Sequence, residues 1–223
     1  AAEIACHFGP SDHPEVPGRW QYYGVSLPFW RSYDKEDPRR EFFYYDYTGD
    51  AKRDDQSDYG FHYMVPEEGV TVVPNDTTKY MQNVATMKYT YDMISDAYYD
   101  GRTICIFRLS DVILCKAEIE NNLNGPAAAL PYLNQIRARA GAPEYGKHNR
   151  FPAPSTKEAM NDAILKERGY ELVFEFQRRA DLIRFGKYEE VVNAHLKKLG
   201  IAQPTNVTSS LRYFPYPLND AQL

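Results

Sequence analysis

The sequence predicts a mainly α-helical protein with long irregular loops and a few short strands. Between residue 103 and about residue 195, apolar residues recur at three- and four-residue steps, the period of a helix. Residues 1–102 lack this period, and turn-forming residues separate their short apolar runs. They also hold most of the 19 tyrosines. We therefore divide the chain into a loop-rich aromatic segment, 1–102, and a helical region, 103–223.

The helical region is expected to begin with two helices joined by a tight turn. Asn124-Gly125-Pro126 ends the first and starts the second, because Gly suits a helix exit and Pro the first turn. The second helix ends at Gly141. The positions predicted to form the two apolar faces are Leu109, Val112, Ile113 and Ala117, then Ala129, Leu130, Leu133, Ile136 and Ala140. The pair is typical of a tetratricopeptide-like hairpin, and a single hairpin leaves an apolar face unburied.

A third helix is predicted to start at Ser155, which has capping-box spacing with Glu158, and to continue through a charged run that ends at Arg184. Opposite charges in this run lie three or four residues apart, as in Arg168 and Glu171 or Glu175 and Arg179. Such pairs are expected to form along one helix. Mixed charges spread in this way are usually structural, so we predict no catalytic residue among them.

The charge and the motifs exclude several classes of function. A formal net charge of -5 and a pI near 5.6 argue against a nucleic-acid partner. The three cysteines include no CxxC pair and the five histidines no ligand spacing, so no metal or other cofactor is predicted. No apolar run reaches the ~20 residues that span a bilayer, and no signal peptide is recognised.

One aromatic loop is the first candidate for ligand binding. It is Arg19-Trp20-Gln21-Tyr22-Tyr23, between Gly18 and Gly24. Sugars present apolar C–H faces ringed by hydroxyls, so proteins stack Trp or Tyr on the ring and direct polar groups at the hydroxyls. This loop supplies both kinds of group. The alternative is that Trp20 packs in a core.

A second candidate is the run Tyr44-Tyr45-Asp46-Tyr47, in which Tyr45 is the predicted contact. The nearby carboxylates are Asp50, Asp54 and Asp55. Tyrosines beside carboxylates suit a sugar, and the acids alone would suit calcium, although no calcium-loop spacing is present. An exposed acidic loop is the remaining interpretation.

Four segments, Phe29–Arg40, Arg108–Glu118, Leu133–Gly141 and Glu167–Gly186, carry a family resemblance. In order and spacing they resemble the SusD/RagB family of outer-membrane nutrient-binding lipoproteins. The last is the most specific, being similar to E-R-x-x-E-[LF]-x-[FG]-E-x-x-R-x-x-D-L-x-R-x-G. Tyr213–Pro217 is similar to the family's C-terminal [YF]-x-P-I-P. Gly169, Cys115 and Lys116 depart from the usual pattern.

The resemblance implies the C-terminal half of a SusD-like fold, without the N-terminal half that holds the lipidated cysteine. It implies a non-catalytic protein at the surface of the cell outer membrane, attached only through that lipid anchor. Its partners would be a glycan, or in some members a peptide, and a SusC-like TonB-dependent transporter. A tetratricopeptide-like interaction scaffold is a further alternative. A glycoside hydrolase would need two carboxylates facing each other across a cleft.

Overall fold

The computed structural model describes residues 10, 13, 23–49, 61–68, 78–88, 105–198 and 208–212. The chain forms two compact units. Unit 1 comprises residues 1–105 and 140–142, and unit 2 comprises residues 106–139 and 143–223. The described part contains six α-helices and six short strands, so the predicted mainly helical fold class is confirmed.

Unit 1 carries the strands in two small sheets. In the first, β6 (Asn83–Thr86) pairs antiparallel with both β1 (Val25–Ser26) and β2 (Phe43–Tyr44). In the second, β4 (His62–Met64) pairs antiparallel with β3 (Asp46–Thr48) and parallel with β5 (Thr78–Tyr80). Strands this short cannot bury an independent core, so the aromatic side chains around them supply the packing.

A short helix and a capped corner follow β1 in unit 1. Helix α1 spans Leu27–Arg31, and a 3₁₀ helix spans Pro38–Glu41. The buried carboxylate of Asp37 accepts from the Arg39 backbone N–H at 3.0 Å and from the Arg39 guanidinium at 3.0 and 2.8 Å. Because one carboxylate both caps the 3₁₀ helix and holds the arginine, the Asp-Pro-Arg sequence builds a rigid corner.

Unit 2 begins with the predicted helical hairpin. Helix α2 spans Leu109–Asn124 and α3 spans Pro126–Ala140. Gly125 between them has φ 87°, a conformation that glycine adopts without strain, and its N–H donates to the Asn121 carbonyl at 3.2 Å. The turn and the apolar face of α3 are confirmed. The core of this unit consists of Leu114, Ala117, Ala129, Leu133, Ile136, Met160, Ala163 and Ile164.

The predicted apolar face of the first helix is correct for two of its four residues. Ala117 is buried and Ile113 packs against the core, as predicted. Leu109 and Val112 are instead 71% and 59% exposed, and Ile119 and Leu123 continue this exposed stripe. Leu114 and Asn121 complete the buried face, and the side-chain amide of Asn121 donates to the Lys157 carbonyl at 2.9 Å. The helix has apolar residues on two sides, and the period alone could not choose between them.

The predicted third helix is two helices. Helix α4 spans Lys157–Glu171 and α5 spans Arg178–Arg184, with α6 at Tyr188–Lys198 after them. The cap of α4 is Thr156 rather than Ser155, because the Thr156 hydroxyl accepts from the Ala159 N–H at 3.1 Å. Between α4 and α5 the chain turns through Phe174 and Phe176, which have positive φ values of 60° and 63°.

Phe176 offers a test of this turn. Its side chain is 66% exposed, so the ring contributes little packing while the backbone occupies a conformation that costs roughly 1–2 kcal/mol for most L-residues. Asn tolerates this conformation, so we expect Phe176→Asn to raise the free energy of unfolding by about 1 kcal/mol in urea denaturation. Phe176→Ala removes the same ring but keeps the backbone penalty and should give no gain. Equal effects of the two substitutions would contradict the strain argument.

Candidate functional site

The candidate site is a cavity of about 420 Å³ within unit 1, here called the Trp30 pocket. Its volume lies in the range of ~300–1,000 Å³ typical of small-molecule sites. One wall comes from α1 and the 3₁₀ helix. The other comes from the start of β3 and the segment from Met64 to Glu68. The polar residues that line it are Arg31, Lys35, Arg40, Tyr45, Asp46, Glu67 and Glu68.

Trp30 is the aromatic support of the pocket. It is only 5% exposed, and its indole N–H donates to the Arg40 carbonyl at 3.3 Å. The Arg40 guanidinium lies 4.1 Å from the centre of the indole, a cation–π contact. Because so little of it is exposed, Trp30 is suited to positioning Arg40 and Tyr45 rather than to stacking on a ligand itself.

Tyr45 is the partly exposed ring of the pocket, with its centroid 5.2 Å from that of Trp30. Its hydroxyl donates to the Glu41 carboxylate. This hydrogen bond, and then burial, raise the pKa of the Tyr45 phenol, so the group stays protonated at neutral pH. A phenol that already donates still has an oxygen lone pair, and it can accept a hydrogen bond from a sugar hydroxyl.

Both signs of charge line the pocket. Arg31 donates to the carbonyl of Pro66, which ties α1 to the opposite wall. On that wall, Asp46 lies 2.5 Å from the His62 imidazole, and Glu67 and Glu68 are exposed. The pocket therefore combines an aromatic platform with directed polar groups.

Only part of the predicted ligand site lies within the described residues. Arg19, Trp20, Gln21 and Tyr22 lie outside them, whereas Tyr23 is described and exposed. Asp50, Asp54 and Asp55 of the second candidate also lie outside.

The rings of the Tyr44–Tyr47 run have different environments. Tyr47 is buried and stacks on Tyr63 at 4.9 Å with an interplanar angle of 11°. Tyr45 instead lines the pocket. In one continuous strand these two side chains would share a face, since they are two residues apart, but Tyr45 lies in the break between β2 and β3.

Trp30, Lys35 and Arg40 were not among the residues predicted from the sequence. All three lie in the Phe29–Arg40 segment, which was used only for the family resemblance. A signal was present: one Trp, three Arg and one Lys occur within these 12 residues. This local composition does not show that residues 45–46 and 64–68 line the same cavity, because such contacts join separate parts of the chain.

The charged residues of the helical segments form ion pairs between elements of unit 2. Arg168 binds Asp111 at 2.7 Å and Asp181 at 2.8 Å, not Glu171 as predicted. Glu171 and Glu175 both accept from Arg108, at 2.6 and 2.8 Å. The predicted pairing of Arg168 with Glu171 along one helix is therefore wrong, because partners on other elements are better placed.

These carboxylates are suited to structural roles. Burial lowers the pKa of Arg168, but its hydrogen bonds to Asp181 and Asp111 outweigh this effect and raise it, so the guanidinium stays charged. The carboxylates of the network use their oxygens to join residues on separate elements. The network thus holds α2, α4 and α5 together.

Two kinds of feature are absent from the described residues. No group of three or more His, Cys, Asp or Glu side chains is placed to hold a metal ion. Among the helices that the structure describes, none combines the length and the apolar character needed to cross a membrane.

Comparison with protein families gives a match to the SusD family over residues 21–219, nearly the whole chain. The chain belongs to the SusD family. All four segments that carry the resemblance lie inside the matched region, so the predicted family is confirmed.

Relatives in the SusD family are longer than this chain. A SusD-like protein of Formosa agariphila is 38% identical over 118 residues, which are 53% of this chain and 22% of that protein. The starch-binding protein SusD of Bacteroides thetaiotaomicron is 28% identical over 129 residues, which are 57% of this chain and 21% of that protein. The matches thus cover about a fifth of the length of these curated relatives.

A solved structure supports the SusD-like fold. Surface glycan-binding protein A from Bacteroides thetaiotaomicron, in complex with laminarihexaose, aligns with a TM-score of 0.57 at 20% identity. The alignment covers 96% of this chain and 42% of the solved chain. At this identity the likeness establishes the fold and not the ligand.

Proposed function

We propose that this chain is part of a non-catalytic cell-surface protein that binds oligo- or polysaccharides and delivers them to a SusC-like TonB-dependent transporter. The family match supports the class of protein. One relative is named for starch binding, and one solved neighbour is in complex with laminarihexaose. A location on the outer-membrane surface, by lipid attachment, follows the same family resemblance. A peptide-binding member of the family is the alternative.

The observation that carries the proposal is the composition of the Trp30 pocket. It places the partly exposed ring of Tyr45 beside directed donors and acceptors in a cavity large enough for a sugar unit. This is the combination that a carbohydrate requires, since the ring packs on the C–H face and the polar groups form hydrogen bonds with the hydroxyls. The carboxylates of unit 2 are held by arginines, which favours binding without hydrolysis.

We assign Tyr45 as one sugar contact and retain Arg19–Tyr23 as a second group of contacts. Tyr23, the described member of that loop, is exposed, which suits this role. Two separate platforms would allow a chain of several sugar units to be held at more than one point. Trp20 and Tyr45 are therefore the residues to substitute first.

Affinity gel electrophoresis against a panel of polysaccharides tests the proposal. We expect Tyr45→Ala and Trp20→Ala each to weaken binding about 10-fold, because one ring stacked on a ring-shaped ligand contributes ~1–3 kcal/mol. Tyr45→Phe keeps the ring and should lose less. Phe42→Ala is the control, since Phe42 is an exposed aromatic of the same unit outside the pocket.

If Tyr45→Ala and Trp20→Ala bind polysaccharide as tightly as the unaltered chain, neither Tyr45 nor Trp20 is a sugar contact. If no polysaccharide gel retards the protein and the protein binds members of a peptide library, the ligand is a peptide and not a glycan.

A further inference from the structure

Among the described residues, three cationic side chains line the Trp30 pocket without an ion-pair partner. They are Arg31, Lys35 and Arg40. In the part of the chain that the structure describes, no carboxylate oxygen lies within 4.0 Å of their charged nitrogens. The arginines of the network in unit 2 behave differently, since Arg108, Arg137 and Arg168 each meet a carboxylate at 2.6–2.8 Å. Positive charge in the pocket is therefore left available.

Arg40 is held in place, but not all of its hydrogen-bond donors are used. Its guanidinium lies on the Trp30 indole at 4.1 Å, and its carbonyl accepts the indole N–H, so backbone and side chain are both held against one ring. Its Nε is enclosed by the protein and has no hydrogen-bond partner among the described residues. The terminal guanidinium nitrogens are not enclosed in this way, so they are the Arg40 donors that a ligand in the pocket can reach.

The two other cations are also suited to a ligand. Arg31 donates to the neutral carbonyl of Pro66, which fixes its position without compensating its charge. Lys35 is exposed and can turn its ammonium towards a bound group.

The carboxylates that line the pocket form no ion pair with these cations among the described residues. Asp46 lies 2.5 Å from the His62 imidazole, and Glu67 and Glu68 are exposed. All three carboxylates remain more than 4.0 Å from the charged nitrogens of the cations, which stay available to a bound group.

We infer that the sugar bound in the Trp30 pocket carries an anionic substituent, a uronate carboxylate or a sulfate ester, which Arg40, Lys35 and Arg31 bind. The inference rests on the proposed function and specifies its class of ligand. A guanidinium matches both anions, because its planar N–H groups donate to two oxygens at once. A neutral sugar would offer hydrogen bonds to these three side chains but no counter-charge. Tyr45 would stack on the ring that bears the anionic group.

Isothermal titration calorimetry with matched polysaccharides tests this inference. The probes are polygalacturonate with its carboxyl-reduced form, and dextran sulfate with dextran. We expect the charged member of one pair to bind at least about 10-fold more tightly, because charge-assisted hydrogen bonds contribute ~1.5–3 kcal/mol. The pair that shows the preference identifies carboxylate or sulfate as the recognised group.

Substitutions of single residues test where the anionic group of the sugar binds. Lys35→Gln should weaken binding of the preferred charged probe about 3-fold or more and leave its neutral form unchanged, because an ion pair contributes up to ~1 kcal/mol. Lys197→Gln, an equal change of charge at an exposed position on α6, is the control and should change neither. Arg40→Gln should weaken binding of the charged probe more than Arg40→Lys does. Glu67→Gln with Glu68→Gln should strengthen binding of the charged probe.

Each outcome decides between the two proposals. Equal affinity for charged and neutral probes, still dependent on Tyr45, would overturn the anionic-ligand inference and leave the glycan-binding function intact. Charged probes that bind the Lys35→Gln and Lys197→Gln variants equally would also overturn it, by placing the anion elsewhere. Binding of no polysaccharide by the unaltered chain would reject the proposed function itself.

Discussion

Glu167→Ala is expected to lower the free energy of unfolding by about 3–5 kcal/mol, because it leaves a buried guanidinium without its counter-charge. The side chains of Arg137 and Glu167 are only 2% and 1% exposed, and their N···O distance is 2.8 Å. Arg137 cannot leave, since its Nε donates to the Pro143 carbonyl at 2.5 Å and its guanidinium packs on Tyr145 and Phe151. Urea denaturation monitored by circular dichroism measures the loss.

Two further variants separate burial from charge in this experiment. Glu144→Ala removes a surface partner of Lys147 and should change stability by less than about 1 kcal/mol. Replacing both members of the buried pair, by Arg137→Met with Glu167→Leu, should recover most of the loss, because no charge then remains buried. A double variant no more stable than Glu167→Ala would show that packing around Arg137, and not its charge, determines the effect.

The second large effect is expected in the core of the helical unit. Leu114→Ala should lower the free energy of unfolding by about 2–5 kcal/mol, because Leu114 is completely buried among α2, α3 and α4 and its loss leaves a cavity. Leu123→Ala is the matched control on the same helix. Leu123 is 75% exposed, so this change should stay within about 0.5 kcal/mol.

Chemical denaturation of the two leucine variants side by side checks the assignment of the buried face. Equal losses would mean that the exposed stripe of Leu109, Val112, Ile119 and Leu123 is covered in solution. A larger loss at Leu123 than at Leu114 would contradict the orientation of α2 outright.

Local chemistry predicted the helical hairpin well. Gly125 and Pro126 each act within one turn of their own position, so their effect does not depend on distant residues. The cap of α4 was predicted one residue too early, because Ser155 and Thr156 are chemically equivalent caps and only the path of the backbone distinguishes them.

The charge pairing was predicted poorly for the opposite reason. Spacing along a helix identifies which residues are able to meet, but Arg168 meets Asp111 and Asp181 because α2 and α5 come close to it. In the same way, the sequence pointed to Tyr45, which lines the Trp30 pocket, but not to Trp30, Lys35 and Arg40, which line it too. Their importance depends on a cavity wall contributed by residues 64–68.

The order of residues along this chain is enough to establish the SusD family and the helical hairpin, since both depend on motifs and turns that act over short stretches. Which face of α2 is buried, which carboxylate each arginine binds, and which aromatic rings line a pocket were decided by contacts between distant segments. Burial and ion pairing depend on distances in space between segments that are far apart in sequence. Those distances are set only when the chain folds, so the order of residues does not give them directly.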